Sequence, residues 1–110
     1  SGRIGAPPLP HHASDVERAY CYEIYGWIWD KHRPNATVNV ELWDDEQYLM
    51  TFPAKEFRQD LVDAGYGNGR HGFYIVTPPQ LRDRRSHVIH LRLAGTKQEL
   101  THSPSVIRCP

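Results

Sequence analysis

The chain has 110 residues, 39% hydrophobic and 11% aromatic, and its 13 basic and 13 acidic side chains cancel at neutral pH. That length suits one domain able to bury roughly two-thirds of its unfolded surface, and the hydrophobic content excludes disorder over most of it. Zero net charge removes the sequence-independent pull toward nucleic acid or an anionic membrane, and no apolar run is long enough to span a bilayer.

Residues 1–14, SGRIGAPPLPHHAS, hold three prolines and two glycines without periodicity and read as a linker or extended arm ahead of a single module over 15–110. The opening Ser1-Gly2 looks like a cloning remnant, so the chain is expected to be a piece of a longer protein. Val16 to Asp30 is the first regular element. Cys21, Tyr25, Trp27 and Trp29 fall on one face and Tyr20, Tyr22, Ile24 and Ile28 on the other, as in a strand covered on both sides. Gly26 within it marks a bulge or a close backbone approach.

After the polar turn Lys31–Asn35, Thr37 to Trp43 alternates, with Val38, Val40 and Leu42 inward and Asn39, Glu41 and Trp43 outward. Asp44-Asp45-Glu46 turns the chain, and Gln47 to Phe52 returns as the second arm of a hairpin. Lys55 to Ala64 is the one helical candidate, with Phe57, Leu61 and Ala64 at helical spacing and Gly65 as its stop. A glycine-rich loop, Gly65 to Gly69, leads into a strand over Gly72–Thr77 that Pro78-Pro79 ends. Ser86 to Leu93 is a further strand, with His87, Ile89, Leu91 and Leu93 on one face. Short strands follow near Glu99–Thr101 and Ser105–Cys109. Turn signals every 8–12 residues predict a mainly β, antiparallel β-sandwich of immunoglobulin-like size, with one short crossover helix around 55–64.

Cys21 and Cys109 stand near the two ends of that sandwich, where first and last strands are often neighbours. A disulfide between them is the expectation, set against two unrelated thiols, and it implies an oxidising compartment: extracellular, periplasmic or cell-surface. The sequon Asn35-Ala36-Thr37 fits a secreted context.

The order of motifs adds a resemblance. Gly26-Trp27-Ile28-Trp29-Asp30 is followed by Trp43-Asp44-Asp45, then Arg58-Gln59-Asp60-Leu61, Gly67-Asn68-Gly69-Arg70-His71-Gly72-Phe73 and the closing Ser103-Pro104. The series resembles a small β-sandwich accessory module found beside bacterial glycosyltransferase domains and in surface or secreted proteins. The resemblance spans about residues 20–104 and implies an accessory, glycan-associated role. The two cysteines and the Pro-rich arm are additions to that pattern.

Each chemistry-bearing motif has a plainer structural reading beside it. His71 with Asp60 suggests a ligand contact or an acid–base pair, whereas a tight glycine loop with His71 bonded to backbone explains the same residues. His87 and His90 fall on opposite faces of one strand, and no HExxH or CxxC spacing points to zinc, so no metal or other cofactor is expected. Asp44, Asp45 and Glu46 lack the separation of a glycosidase pair and the ligand spacing of a calcium loop. Arg82–Arg85 reads as a solvated turn. Trp27 and Trp29 are taken as core.

What remains is the outward face of the hairpin. Trp43, Tyr48, Asn39 and Glu41 form a candidate stacking and hydrogen-bonding platform for sugar, with Tyr66 and His71 as a second cluster. The expectation is a non-catalytic binding module for carbohydrate, or one that positions a glycan-active neighbour. The competing reading is a protein-interaction module, a homodimer among its forms, using edge strands and the N-terminal arm.

Overall fold

Alternation decides the two sheets. The computed structural model describes residues 11–110. Its strands are β1 (His12–Ala19), β2 (Glu23–Asp30), β3 (Val38–Asp44), β4 (Gln47–Ala54), β5 (Glu56–Phe57), β6 (Arg70–Val76), β7 (Ser86–Leu93) and β8 (Ser105–Arg108), with a short helix α1 (Gln59–Asp63). They form two four-stranded sheets, ordered β1-β2-β6-β5 (sheet A) and β4-β3-β7-β8 (sheet B), with antiparallel neighbours throughout. Ile24 and Ile28 from sheet A face Val40, Leu42, Ile89, Leu91 and Ile107 from sheet B, all at most 2% exposed. Phe52 and Phe73 meet across the layers with ring centroids 5.2 Å apart. The architecture is the expected β-sandwich.

Beyond Glu99–Thr101, which forms one bridge from Glu99 to Arg92 and no strand, four local expectations change. The element expected over Val16–Asp30 is a hairpin whose turn, Tyr20–Tyr22, has no glycine, proline or asparagine to announce it. The turn is held instead by Tyr20 N–H donating to the Glu23 carbonyl and by the Thr77 hydroxyl donating to the Tyr20 carbonyl. The arm expected over 1–14 falls mostly outside the described residues, but His12 to Ser14 pair with Asp30 to Ile28 as part of β1. Helix α1 is five residues long and buries only Leu61. Phe57, expected on its buried face, is 51% exposed because residues 56–57 are pulled into pairing with β6. The change of sheet therefore happens at Lys55, and α1 sits on the β5–β6 connection.

Trp27 and Trp29 are the fourth correction. The inward residues of β2 are Ile24, Gly26, Ile28 and Asp30, so both tryptophans lie on the outer face of sheet A. They are half-buried there because Tyr66 stacks on Trp27 at 4.9 Å and leans on Trp29 at 5.0 Å. Gly26 meets its expectation: β1 bulges opposite it between Val16 and Arg18, and a Cβ at Gly26 would strike the Asp15 carbonyl. Cys21, in the β1–β2 turn, and Cys109, just after β8, form a disulfide that ties one sheet to the other, with Cα atoms 5.4 Å apart.

Candidate functional site

The strand period puts Glu41 and Trp43 on the outer face of β3, and the register sets Trp43 beside Tyr48 of β4 and His90 of β7. The Tyr48 ring meets Trp43 edge-on at 5.6 Å. Arg92 of β7, opposite Glu41 in register, lies with its guanidinium 5.3 Å from the Trp43 ring centroid, within cation–π range. The Trp43 indole Nε1–H donates to Glu41 Oε1 at 3.0 Å, and Gly95 N–H donates to Glu41 Oε2 at 3.0 Å. The Gly95 N–H first, and the indole N–H second, hold the Glu41 carboxyl below its ordinary pKa. Glu41 is thus committed to fixing the indole and has little left for a ligand.

A polar cluster holds Arg92 from the side of β7 away from β3. Glu99 accepts from Arg92 Nε at 2.8 Å and from Ser103 Oγ at 2.6 Å, and its Oε2 lies 3.0 Å from His90 Nδ1. Ser103 Oγ in turn accepts from Leu91 N–H at 2.8 Å. The result is a fixed ring in a groove of about 370 Å³, lined by Trp43, Asp45, Glu46, Arg92, Thr96 and Lys97. A rigid aromatic wall with polar groups along its sides can take one apolar face of a sugar ring and bond its hydroxyls.

The predicted site residues therefore separate. Trp43, Tyr48 and Glu41 come together. Asn39 lies further along the same face and lines a separate depression of about 300 Å³ with His12, Arg33 and Thr37. Tyr66 lies on the opposite side of the sandwich, covering Trp27 and Trp29. His71 is 0% exposed on the inner face of β6, where burial pushes its pKa down. Neither ring nitrogen makes a well-formed hydrogen bond; the Pro34 carbonyl is near enough only to favour the protonated form weakly. His71 is a core residue, and it is not paired with Asp60, which bonds Arg58 instead.

The glycine loop serves the scaffold. Gly67, at φ +57°, comes so close to the Pro34 carbonyl that a Cβ would strike it; the same carbonyl accepts the Trp29 indole N–H at 3.0 Å. Asn68 N–H donates to Asn35 Oδ1 at 3.0 Å. The loop thereby locks onto the 31–36 turn. Arg58 passes over Gly72, where a side chain would block it, and reaches Glu17 on β1 at 2.9 Å.

A second polar feature borders the Trp43 groove. His87 Nδ1 lies 2.8 Å from Asp44 Oδ2 and its Nε2 lies 2.7 Å from Asp83 Oδ1. Only the imidazolium donates from both nitrogens, so this geometry selects the charged form. Asp83 first, then Asp44, raise the His87 pKa against the opposing effect of desolvation. Beside it runs a groove of about 700 Å³ lined by Asp44, Asp45, Glu46, Gln47, Arg85, Ser86 and His87. Among the described residues, no group of three or more His, Cys, Asp or Glu side chains is placed to hold a metal ion, and no helix is long and apolar enough to cross a membrane.

Sequence reasoning missed Arg92, Lys97, Asp45 and Glu46 as groove residues. Arg92 alternates outward with His90 on β7, a usable signal, but only the β3–β7 register brings it to Trp43. No known protein family, curated protein or solved structure matches this chain.

Proposed function

We propose that this chain is a non-catalytic carbohydrate-binding module that acts outside the cytoplasm and presents sugar to a glycan-active neighbour. The observation that carries the reading is the groove walled by Trp43, whose ring is held by Glu41, Tyr48 and Arg92. Preorganised aromatics lose little entropy when a ligand stacks on them, and the groove's carboxylates and ammonium group suit hydroxyls. Three histidines are committed to the scaffold: His71 is buried in the core, His87 is clamped between Asp44 and Asp83, and His90 bonds Glu99. The Cys21–Cys109 disulfide favours an oxidising compartment. The test is a glycan array of bacterial, fungal and plant polysaccharides probed with the folded, oxidised protein. Saturable binding to a defined sugar class is the expected result, and uniform background with the fold intact would sink the reading.

A second reading is favoured by a different surface. Tyr22 (63% exposed), Tyr74 (56%) and Val76 (65%) stand beside Tyr20 at one end of sheet A, with Glu23 bonding the hydroxyls of both Tyr20 and Tyr74 at 2.8 Å. Contiguous exposed aromatics of this kind mark protein contacts. Light scattering decides: a stable dimer lost in Tyr22→Ser/Tyr74→Ser supports assembly through this patch.

A further inference from the structure

We propose that the Trp43 groove is one half of an extended site that continues over the β3–β4 turn, so that it takes an internal stretch of a carbohydrate chain and not a single terminal sugar. The inference rests on the carbohydrate reading above and adds the length of the ligand.

The two grooves, of about 370 and 700 Å³, share Asp45 and Glu46 at the tip of the β3–β4 hairpin. From Glu41, level with Arg92, to Asp45 is four residues of extended chain, about 13 Å. With the second groove added, the path outruns one sugar ring. The ridge between the grooves is fixed. Asp45 has a left-handed φ of +48°, and its N–H donates to the Val88 carbonyl at 2.9 Å. Asp44 behind it is tied to His87, and His87 to Asp83. A ligand crossing this ridge therefore meets a surface that does not have to be ordered first.

The chemistry along the path repeats. Among the described residues, the side chains of Asp45, Glu46, Arg85 and Lys97 make no hydrogen bond or ion pair with other protein groups. The open acceptors, Asp45 and Glu46, lie mid-path, and the open donors lie at its two ends, Lys97 in the Trp43 groove and Arg85 in the other. A hydroxylated chain offers donors and acceptors at each ring and can satisfy all four. Among the described residues lining the two grooves, Trp43 is the one aromatic side chain, Phe, Tyr or Trp, so a short ligand anchors there, and added rings reach Arg85, Ser86 and Gln47.

The experiment titrates a series of oligosaccharides, disaccharide to hexasaccharide, cut from whichever array polysaccharide retains the protein, into the wild type, Arg85→Ala and Trp43→Ala. Affinity should rise by about tenfold or more along the series. Arg85→Ala should return the hexasaccharide to near the disaccharide affinity while leaving disaccharide binding unchanged. Trp43→Ala should weaken every length. A plateau at the disaccharide, with Arg85→Ala neutral for all lengths, overturns the extended site and leaves the carbohydrate reading standing. Retention of no polysaccharide, or a Trp43→Ala protein that folds and binds as tightly as the wild type, overturns both.

Discussion

Removing the Cys21–Cys109 bond should cost a large share of the stability of the fold. The bond joins residues 88 positions apart, which in the chain-entropy treatment restricts the unfolded chain by about 4–5 kcal/mol. A domain of this size has on the order of 5–15 kcal/mol in total. The bond also joins the β1–β2 turn of sheet A to the strand end of sheet B, so its loss frees both layers at once. Denaturant unfolding of the oxidised protein, the reduced protein and Cys21→Ala/Cys109→Ala measures the effect. The reduced and double-alanine forms should agree within about 1 kcal/mol and lie about 4–5 kcal/mol below the oxidised form, with a midpoint lower by roughly 20 °C on heating. Intact mass should rise by two hydrogens on reduction. A mass that does not change would show that the loop is not closed in the native protein, and a loss below about 1 kcal/mol would refute the chain-entropy reasoning.

The His87 clamp sets a pH dependence. Its folded pKa is raised, so its contribution is fully present below the ordinary histidine value of about 6.5 and disappears as pH rises through the folded pKa. The stability gap between wild type and His87→Gln should therefore be largest at mild acid pH, about 1 kcal/mol for a clamp whose Asp83 arm is open to solvent, and an NMR titration placing His87 below 6.5 would contradict it. His71 runs the other way: burial lowers its pKa, so the folded state resists protonation and loses stability as pH falls below about 6.5, a loss that His71→Phe should blunt in acid unfolding curves. Gly67→Ala should destabilise by at least about 1–2 kcal/mol in denaturant melts, since it adds a left-handed side chain against the Pro34 carbonyl; a neutral result would mean that the loop does not dock on the 31–36 turn.

The parts legible in the sequence were those that one strand's own periodicity decides. Val38, Val40 and Leu42 inward with Asn39, Glu41 and Trp43 outward follows from alternation alone, as does His87 beside Ile89 and Leu91. The Tyr20–Tyr22 turn was not legible because a distant hydrogen bond from Thr77 and a disulfide to Cys109 make it, and neither leaves a local signal. Trp27 and Trp29 read as core because a covered outer face and an inner face have the same composition; the cover, Tyr66, arrives from a loop 37 residues beyond Trp29. Half of the candidate site was legible for the same reason. Trp43, Tyr48 and Glu41 belong to one hairpin, whereas Arg92 and Lys97 reach it through cross-strand register, and His71 was misplaced because a glycine-rich surround resembles a ligand loop whether its histidine points out or in.

The central claim is that Trp43 binds sugar. Titration calorimetry of the array-selected polysaccharide against wild type and Trp43→Ala, with unfolding curves to show that both are folded, tests it most directly. Saturable heat in the wild type and at least about tenfold weaker binding in Trp43→Ala is the expected result. Equal binding by both proteins, or binding lost instead in Tyr22→Ser/Tyr74→Ser, would contradict it.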